Sequence, residues 1–466
     1  MFYQIAAVML MMIGCPDEAD HWEPCPDEYL NGIENGLDTD AEFGEKEQHI
    51  VETVNRFYGT PVGSAPYPGV RSTYGGTELM VQLSQINQDL DLLIGHGKAA
   101  HFIESHNFPV TNPHIFLSGK VEGTGFFGIN ATGHPISDIG LTGAELDILI
   151  AYKALTGFLV IEYLNFPSPV INNRLANTNL FLDVAFLTIG VLNHSRMYLT
   201  IGQTFVPFGQ YNSYNGFNDP LTKVLFRTLA TDATVGYYDN RFLGQFFFFK
   251  GDSHADSGNN INNYGFNIGA HYDIGKAKNF LQVSYMRNIG DALGFQLAFG
   301  NSRNTNILRH VVSGIDINGS TQIGDHWFFV YEYISALRRF SPVDAGYSTN
   351  SGKSFKGARP QAFDLEASYQ FDIGEKPAGI SLGWSHSYQA VGFNLPKWRT
   401  NLTFTVYIFK GTLLSLEYMH NELYDKNEVA AGQVTFGPGG ATPYFRRQVN
   451  KGHGDDTLTL DISFFW

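Results

Sequence analysis

The chain has 466 residues, of which 16% are charged and 14% aromatic, with 50 glycines and a net charge of −15. Residues 1–48 hold twelve Asp/Glu against the single base Lys46, so most of that charge sits there. The remainder is close to balanced and carries no basic stripe, which argues against nucleic acid as a partner. The length suits one large domain or two to three ordinary ones.

Met1 to Ile13 is apolar and runs into Gly14 and Cys15. Residues 1–15 read as a degenerate export signal, although no Lys or Arg precedes the apolar run. Cys15 and Cys25 are the two cysteines, and a disulfide between them is one option. A following chain without Cys suits an oxidising compartment. Residues 16–76 are acidic and rich in Pro and Gly, which predicts a flexible, solvated segment rather than a metal site.

Residues 77–113 change character. Leu79, Leu83, Ile86, Leu90 and Leu93 are spaced 4, 3, 4, 3, which makes one apolar face of a helix. Thr77 is its expected N-cap, and Gly95 and Gly97 its stop. One such helix cannot bury its stripe alone, so it must pack on the body of the protein, inside it, or on another chain.

From about His114 the period becomes two. Leu458, Leu460, Ile462, Phe464 and Trp466 alternate with Thr457, Thr459, Asp461, Ser463 and Phe465. This strand resembles the membrane-insertion signal of bacterial outer-membrane barrels, which the barrel-assembly machinery reads. Sixteen such segments follow one another, near 114–129, 139–153, 155–166, 178–192, 196–206, 230–239, 241–252, 262–274, 277–290, 308–322, 326–339, 360–373, 378–390, 397–410, 412–424 and 457–466. Each is about ten residues or longer, the length a tilted strand needs to cross a bilayer. Short connections follow even strands, and long ones usually follow odd strands. The expected fold is therefore all-β, a 16-stranded antiparallel transmembrane barrel over 114–466. In lipid every backbone N–H and C=O must be paired, so the sheet must close on itself. An even strand count puts both barrel ends on the short-turn side, which is the periplasmic side in such barrels.

A barrel of this size leaves an aqueous channel rather than a packed core. Alternation places Lys120, Glu122, Asp147, Glu162, Asp183, Arg196, Glu332, Asp364, Glu366, Arg399 and Glu417 on the lumen face. This acidic lining favours cations, unless its members mainly brace the inner wall. The connection after the fifth strand carries Phe205, Pro207, Phe208, Tyr211, Tyr214, Asp219 and Arg227, suited to holding an organic solute if the loop folds inward. No enzyme signature stands out: His101 and His106, or His310 and Ser313, show no recognisable catalytic spacing, and there is no phosphate loop or Cys-based metal motif. No catalytic residue, metal or cofactor is expected.

At this loop a resemblance appears. Residues 199–209 read LTIGQTFVPFG, 219–222 read DPLT and 234–237 read TVGY; upstream, 85–93 read QINQDLDLL and 117–123 read LSGKVEG. Over residues 77–466 the chain resembles the siderophore porin family of the legiobactin-receptor type. That resemblance implies an outer-membrane barrel with an N-terminal periplasmic extension, taking up an iron-chelating small molecule without a TonB-energised plug. The chain departs from the pattern at 225–228, LFRT, where Arg227 replaces an expected acid. A general or nutrient porin is the alternative, then a structural or adhesive barrel presenting loops 340–359 and 425–456, then a surface hydrolase. Porins of this size are often trimers, so a homo-oligomer is the expectation by analogy.

Overall fold

A computed structural model describes residues 55–57, 60–64, 79, 85–94 and, apart from gaps within its loops, 113–466. The export-signal segment, Cys15, Cys25, most of the acidic segment, Thr77, Leu83, Gly95, Gly97, His101 and His106 lie outside the described residues.

Sixteen strands form the barrel. They are β1 (His114–Ile129), β2 (Pro135–Tyr152), β3 (Leu155–Asn165), β4 (Thr178–Ile189), β5 (Met197–Phe205), β6 (Leu229–Tyr238), β7 (Phe242–Phe249) and β8 (Asn263–Ile274). There follow β9 (Ala277–Met286), β10 (Gly314–Ile323), β11 (Trp327–Ala336), β12 (Gln361–Ile373), β13 (Lys376–Tyr388), β14 (Trp398–Phe409), β15 (Thr412–Glu422) and β16 (Asp455–Phe465). Each pairs antiparallel with the next, and β16 pairs with β1 to close the ring. Closure extends to the last residue: Trp466 N donates to Gly119 O at 3.1 Å and Gly119 N donates to Trp466 O at 3.0 Å. Gly119 has a specific reason to be glycine, since a Cβ there would lie 2.7 Å from the Trp466 ring. All sixteen predicted strands are present; β10 shows the largest shift, starting at Gly314 rather than 308.

The two ends of the barrel differ. At one end tight turns join the strands, such as the two-residue turns Gly275-Lys276 and Gly374-Glu375. Gly275 (φ 62°) and Gly374 (φ 68°) adopt the left-handed conformation that matches hairpin twist. At the other end long loops rise, and Gly346–Ser348, Lys356–Gly357, Val429–Gly437 and Gly440–Arg446 form a separate four-stranded sheet. A short hairpin, Asn55–Phe57 and Thr60–Ser64, adds to β1 in parallel at Ile115, Phe116 and Leu117.

Side chains alternate as the period of two dictates. Leu460, Ile462, Phe464 and Trp466 face outward, as do Ile139, Leu180, Ile268, Tyr272, Trp327, Leu382 and Trp384. Thr459, Asp461 and Ser463 face inward and are buried. An apolar outer band with aromatic residues and a polar inner wall is the pattern of outer-membrane barrels.

The interior corrects one expectation. The lumen is not open water throughout, because a hydrophobic core fills part of it. The loop after β5, the loop after β9 and the inner faces of several strands share this core, which includes Phe208, Leu221, Leu225, Phe226, Phe247, Ile289, Phe295 and Ile334. Phe295 anchors it, with ring centroids 4.9 Å from Phe340 and 4.7 Å from Phe393. Helix α1 (88–94) also departs from expectation. Among the described residues the helix begins at 88, since Gln85 and Asn87 both have φ of 61°, outside the right-handed helical region.

Candidate solute passage

The loop after β5, residues 206–228, crosses the interior of the barrel. It includes helix α2 (Leu221–Phe226). Three glutamates of the far wall hold it. Glu332 of β11 accepts from Gln210 N at 2.6 Å and Tyr211 N at 3.2 Å. Glu366 of β12 accepts from Ser213 Oγ (2.7 Å), Tyr214 N (2.6 Å) and Asn215 Nδ2 (2.9 Å). Glu417 of β15 accepts from Phe217 N at 2.9 Å and from the Asn218 side chain. Ser381 Oγ donates to Tyr214 O at 3.2 Å, and Arg399 Nη1 donates to Asp219 O at 2.7 Å.

The physical logic is local. A loop crossing a barrel carries backbone N–H groups with no strand beside them, and each must find an acceptor. Carboxylates on the inward positions of the wall supply it, and such charge-assisted bonds are the strong ones. Glu332, Glu366 and Glu417 are therefore inward, as alternation placed them, but they act as latches behind the loop. Asp364 is likewise engaged, accepting from Ser385 Oγ.

The aromatic residues of the loop also pack inward. Phe205, which ends β5, and Val206, Phe208, Tyr211 and Tyr214 of the loop are buried, as is Pro207. Burial and the nearby Glu332 push the Tyr211 hydroxyl well above its ordinary value. These side chains are wall rather than a surface presented to a solute, which corrects the sequence expectation. The short helix α2 divides by face: Leu221, Thr222, Leu225 and Phe226 are buried, while Lys223, Val224 and Arg227 keep exposed area.

Charged groups gather beside that face. Lys223 Nζ pairs with Asp219 Oδ1 at 2.7 Å. Burial works to raise the Asp219 carboxyl, but Lys223, Arg227 and Arg399 outweigh it and hold it below the usual carboxylate range. The Arg227 guanidinium lies over the Phe205 ring, 4.2 Å from its centroid, a cation–π arrangement that fixes its plane. Within electrostatic reach of Arg227 stand Glu162 of β3 and Asp183 of β4. Lys120 and Glu122 of β1 form an ion pair at 2.5 Å, and Glu145 of β2 acts on Lys120, Glu162 and Asp183. The loop thus faces its bases toward acids on the wall.

Other predicted residues fall as follows. Asp147 is inward, buried, and accepts from Ser118 Oγ at 3.2 Å. Asp183 sits at a bulge, where Val160 pairs with Val184 and Ile161 with Leu182; the extra residue turns its carboxyl inward. Arg196 is not pore-lining. It precedes β5 at the short-turn rim, largely exposed, and pairs with Asp239 at 3.4 Å and the Tyr237 hydroxyl at 3.2 Å; beyond the strand end, alternation no longer directs a side chain. His310 pairs with buried Asp344 (2.8 Å), whereas Ser313 Oγ donates to Arg287 O (2.8 Å). Glu145 and Lys223 were missed by the sequence reading. Glu145 shares the inward parity of Asp147, and Lys223 lies one helical turn after Asp219, so both signals were present.

The segment carrying α1 lies at the short-turn mouth. Thr200 Oγ1 of β5 donates to Asp89 Oδ2 at 2.6 Å. Leu90 and Leu93 pack with Tyr198, Leu243 and Phe280, inward residues of β5, β7 and β9.

No family model matches the chain. A UPF0422 protein of Coxiella burnetii is 30% identical over 385 residues, covering 81% of this chain and 79% of the relative. A UPF0422 protein of Legionella pneumophila strain Paris is 30% identical over 428 residues, covering 88% and 77%. Among solved structures, Salmonella typhi OmpF in complex with daunomycin aligns with a TM-score of 0.48 at 13% identity, covering 76% of this chain and 97% of that one. An anion-selective porin from Comamonas acidovorans aligns at 0.48 and 12%, covering 76% and 100%.

Proposed function

The chain belongs to the UPF0422 family, and from the geometry of its barrel we propose that it is a passive channel for a small polar solute across the bacterial outer membrane. The observation that carries this reading is the loop after β5, latched across the interior by Glu332, Glu366 and Glu417, with charged groups facing each other beside it. Arg227, at the end of the helix in that loop, keeps exposed area and lies within electrostatic reach of Glu162 and Asp183 on the wall. Conduction requires sites that bind weakly and release, and paired opposite charges along a path provide them. On this reading the short turns face the periplasm and the N-terminal region lies there. The barrel-assembly machinery would engage β16. A homo-oligomer is expected by analogy to the fold alone.

The finer reading is that the solute is a ferric siderophore. The sequence resemblance over residues 77–466 supports it. So does Arg227, a partly exposed base of the loop whose charge suits an anionic chelate. The test is current through the refolded protein in a planar bilayer, with ferric siderophores added. Competitive block supports siderophore uptake. Current that none of several hydroxamate and carboxylate siderophores blocks leaves a general porin. No current from folded barrels, including the variants described below that unseat the mouth segment, refutes the channel.

A further inference from the structure

We propose that residues 85–94 form a plug that closes the short-turn mouth of the channel and opens it by leaving its seat. This rests on the channel reading and adds its regulation.

The seat is built into the wall. A lumen wall is expected to be polar, yet Tyr198, Leu243 and Phe280 make an apolar patch on the inner faces of β5, β7 and β9. Glycines make room for its rings. A methyl group at Gly236 would overlap the Tyr198 ring, and one at Gly269 would lie 2.8 Å from the Phe280 ring. Leu90 is fully buried on this patch, and Leu93 nearly so. Ile86 and Leu92 join the cluster that includes Phe158, Val160, Val184 and Phe186. Polar ties add to this: Asp89 to Thr200, and the Gln85 side chain to Asp183. Upstream, Leu79 is buried and comes close to Gly379 of β13, where an added Cβ would lie 3.4 Å away. In a ring of sixteen strands β13 is opposite β5, so Leu79 meets the far side of the mouth.

The seat is also marginal. Gln85 has a φ of 61°, in the left-handed region that is unfavourable for a residue without glycine's freedom or Asn's local hydrogen bonding. Asn87 Oδ1 and Gln88 Oε1 are buried with no hydrogen-bond partner among the described residues. Local strain and unsatisfied groups lower the cost of departure, as a movable element requires.

The test uses the full chain with Cys15→Ser and Cys25→Ser. In that background Asp89→Cys with Thr200→Cys places two thiols where the side chains now touch. Oxidation is expected to abolish single-channel current, and reduction to restore it. Independently, Leu90→Asp puts a charge on the apolar seat and is expected to raise open-state occupancy roughly tenfold or more. Equal current from the oxidised and reduced pair, or from Leu90→Asp and the parent, overturns the plug while leaving the channel. If reduced pair and Leu90→Asp both fold, by heat-modifiable migration on gels, and neither conducts, channel and plug fall together.

Discussion

Glu366 offers the sharpest test of the latched loop. It is fully buried and accepts three hydrogen bonds, from Ser213 Oγ, Tyr214 N and Asn215 Nδ2. Glu366→Ala leaves the Tyr214 N–H buried without an acceptor, a loss of about 1–3 kcal/mol. Losing the Ser213 and Asn215 bonds adds about 1 kcal/mol each. A total of roughly 3–5 kcal/mol is large against what holds one loop segment, although Glu332 and Glu417 still hold its neighbours. Glu366→Gln is expected to cost less. Its carbonyl oxygen can still accept, but its NH2 faces a donor on one side. The barrel strands do not depend on Glu366 in the same way, so heat-modifiable migration should survive both changes. Single-channel recording is the assay. Glu366→Ala should give larger and noisier conductance steps, with Glu366→Gln between it and the parent. Unchanged conductance and noise in Glu366→Ala, with the protein folded, would refute the claim that this carboxylate positions the loop.

Arg227→Glu removes the guanidinium that faces Glu162 and Asp183. It should raise the cation-to-anion permeability ratio about two- to fivefold, read as a reversal potential in a salt gradient; an unmoved potential means the passage lies elsewhere. Burial raises the Asp89 carboxyl, against the lowering effect of its bond from Thr200. Asp91 on the same helix and Asp232 and Tyr198 on the wall face the same region. A carboxyl raised in the seated state contributes to seating below its ordinary pKa, and this contribution is lost as pH rises through the raised value. Open probability should therefore increase with pH, and Asp89→Asn should flatten the profile; a decrease with pH contradicts the sign. Gly119→Val would drive a side chain against Trp466 and the Glu145 carbonyl. Overpacking there is expected to cost about 1–3 kcal/mol, seen as a lower folded fraction on refolding.

The sixteen strands, their inward and outward faces and the alternation of short turns with long loops were all readable in the sequence. They follow from a period of two repeated between turn residues, and each strand needs only its own ten or so residues to show it. Parity also found the inward carboxylates Glu332, Asp364, Glu366 and Glu417. It could not say what they face. Whether a lumen carboxylate meets water or a loop depends on pairs such as Ser213 with Glu366, 153 residues apart, and no local pattern encodes them. The same holds for the aromatic residues of the loop, whose composition suited a solute and whose burial served a core. The apolar stripe carrying Leu90 and Leu93 announced that it must be covered. Only the tertiary structure supplied the cover, because Tyr198, Leu243 and Phe280 come together as a patch only once β5, β7 and β9 stand side by side in a closed ring.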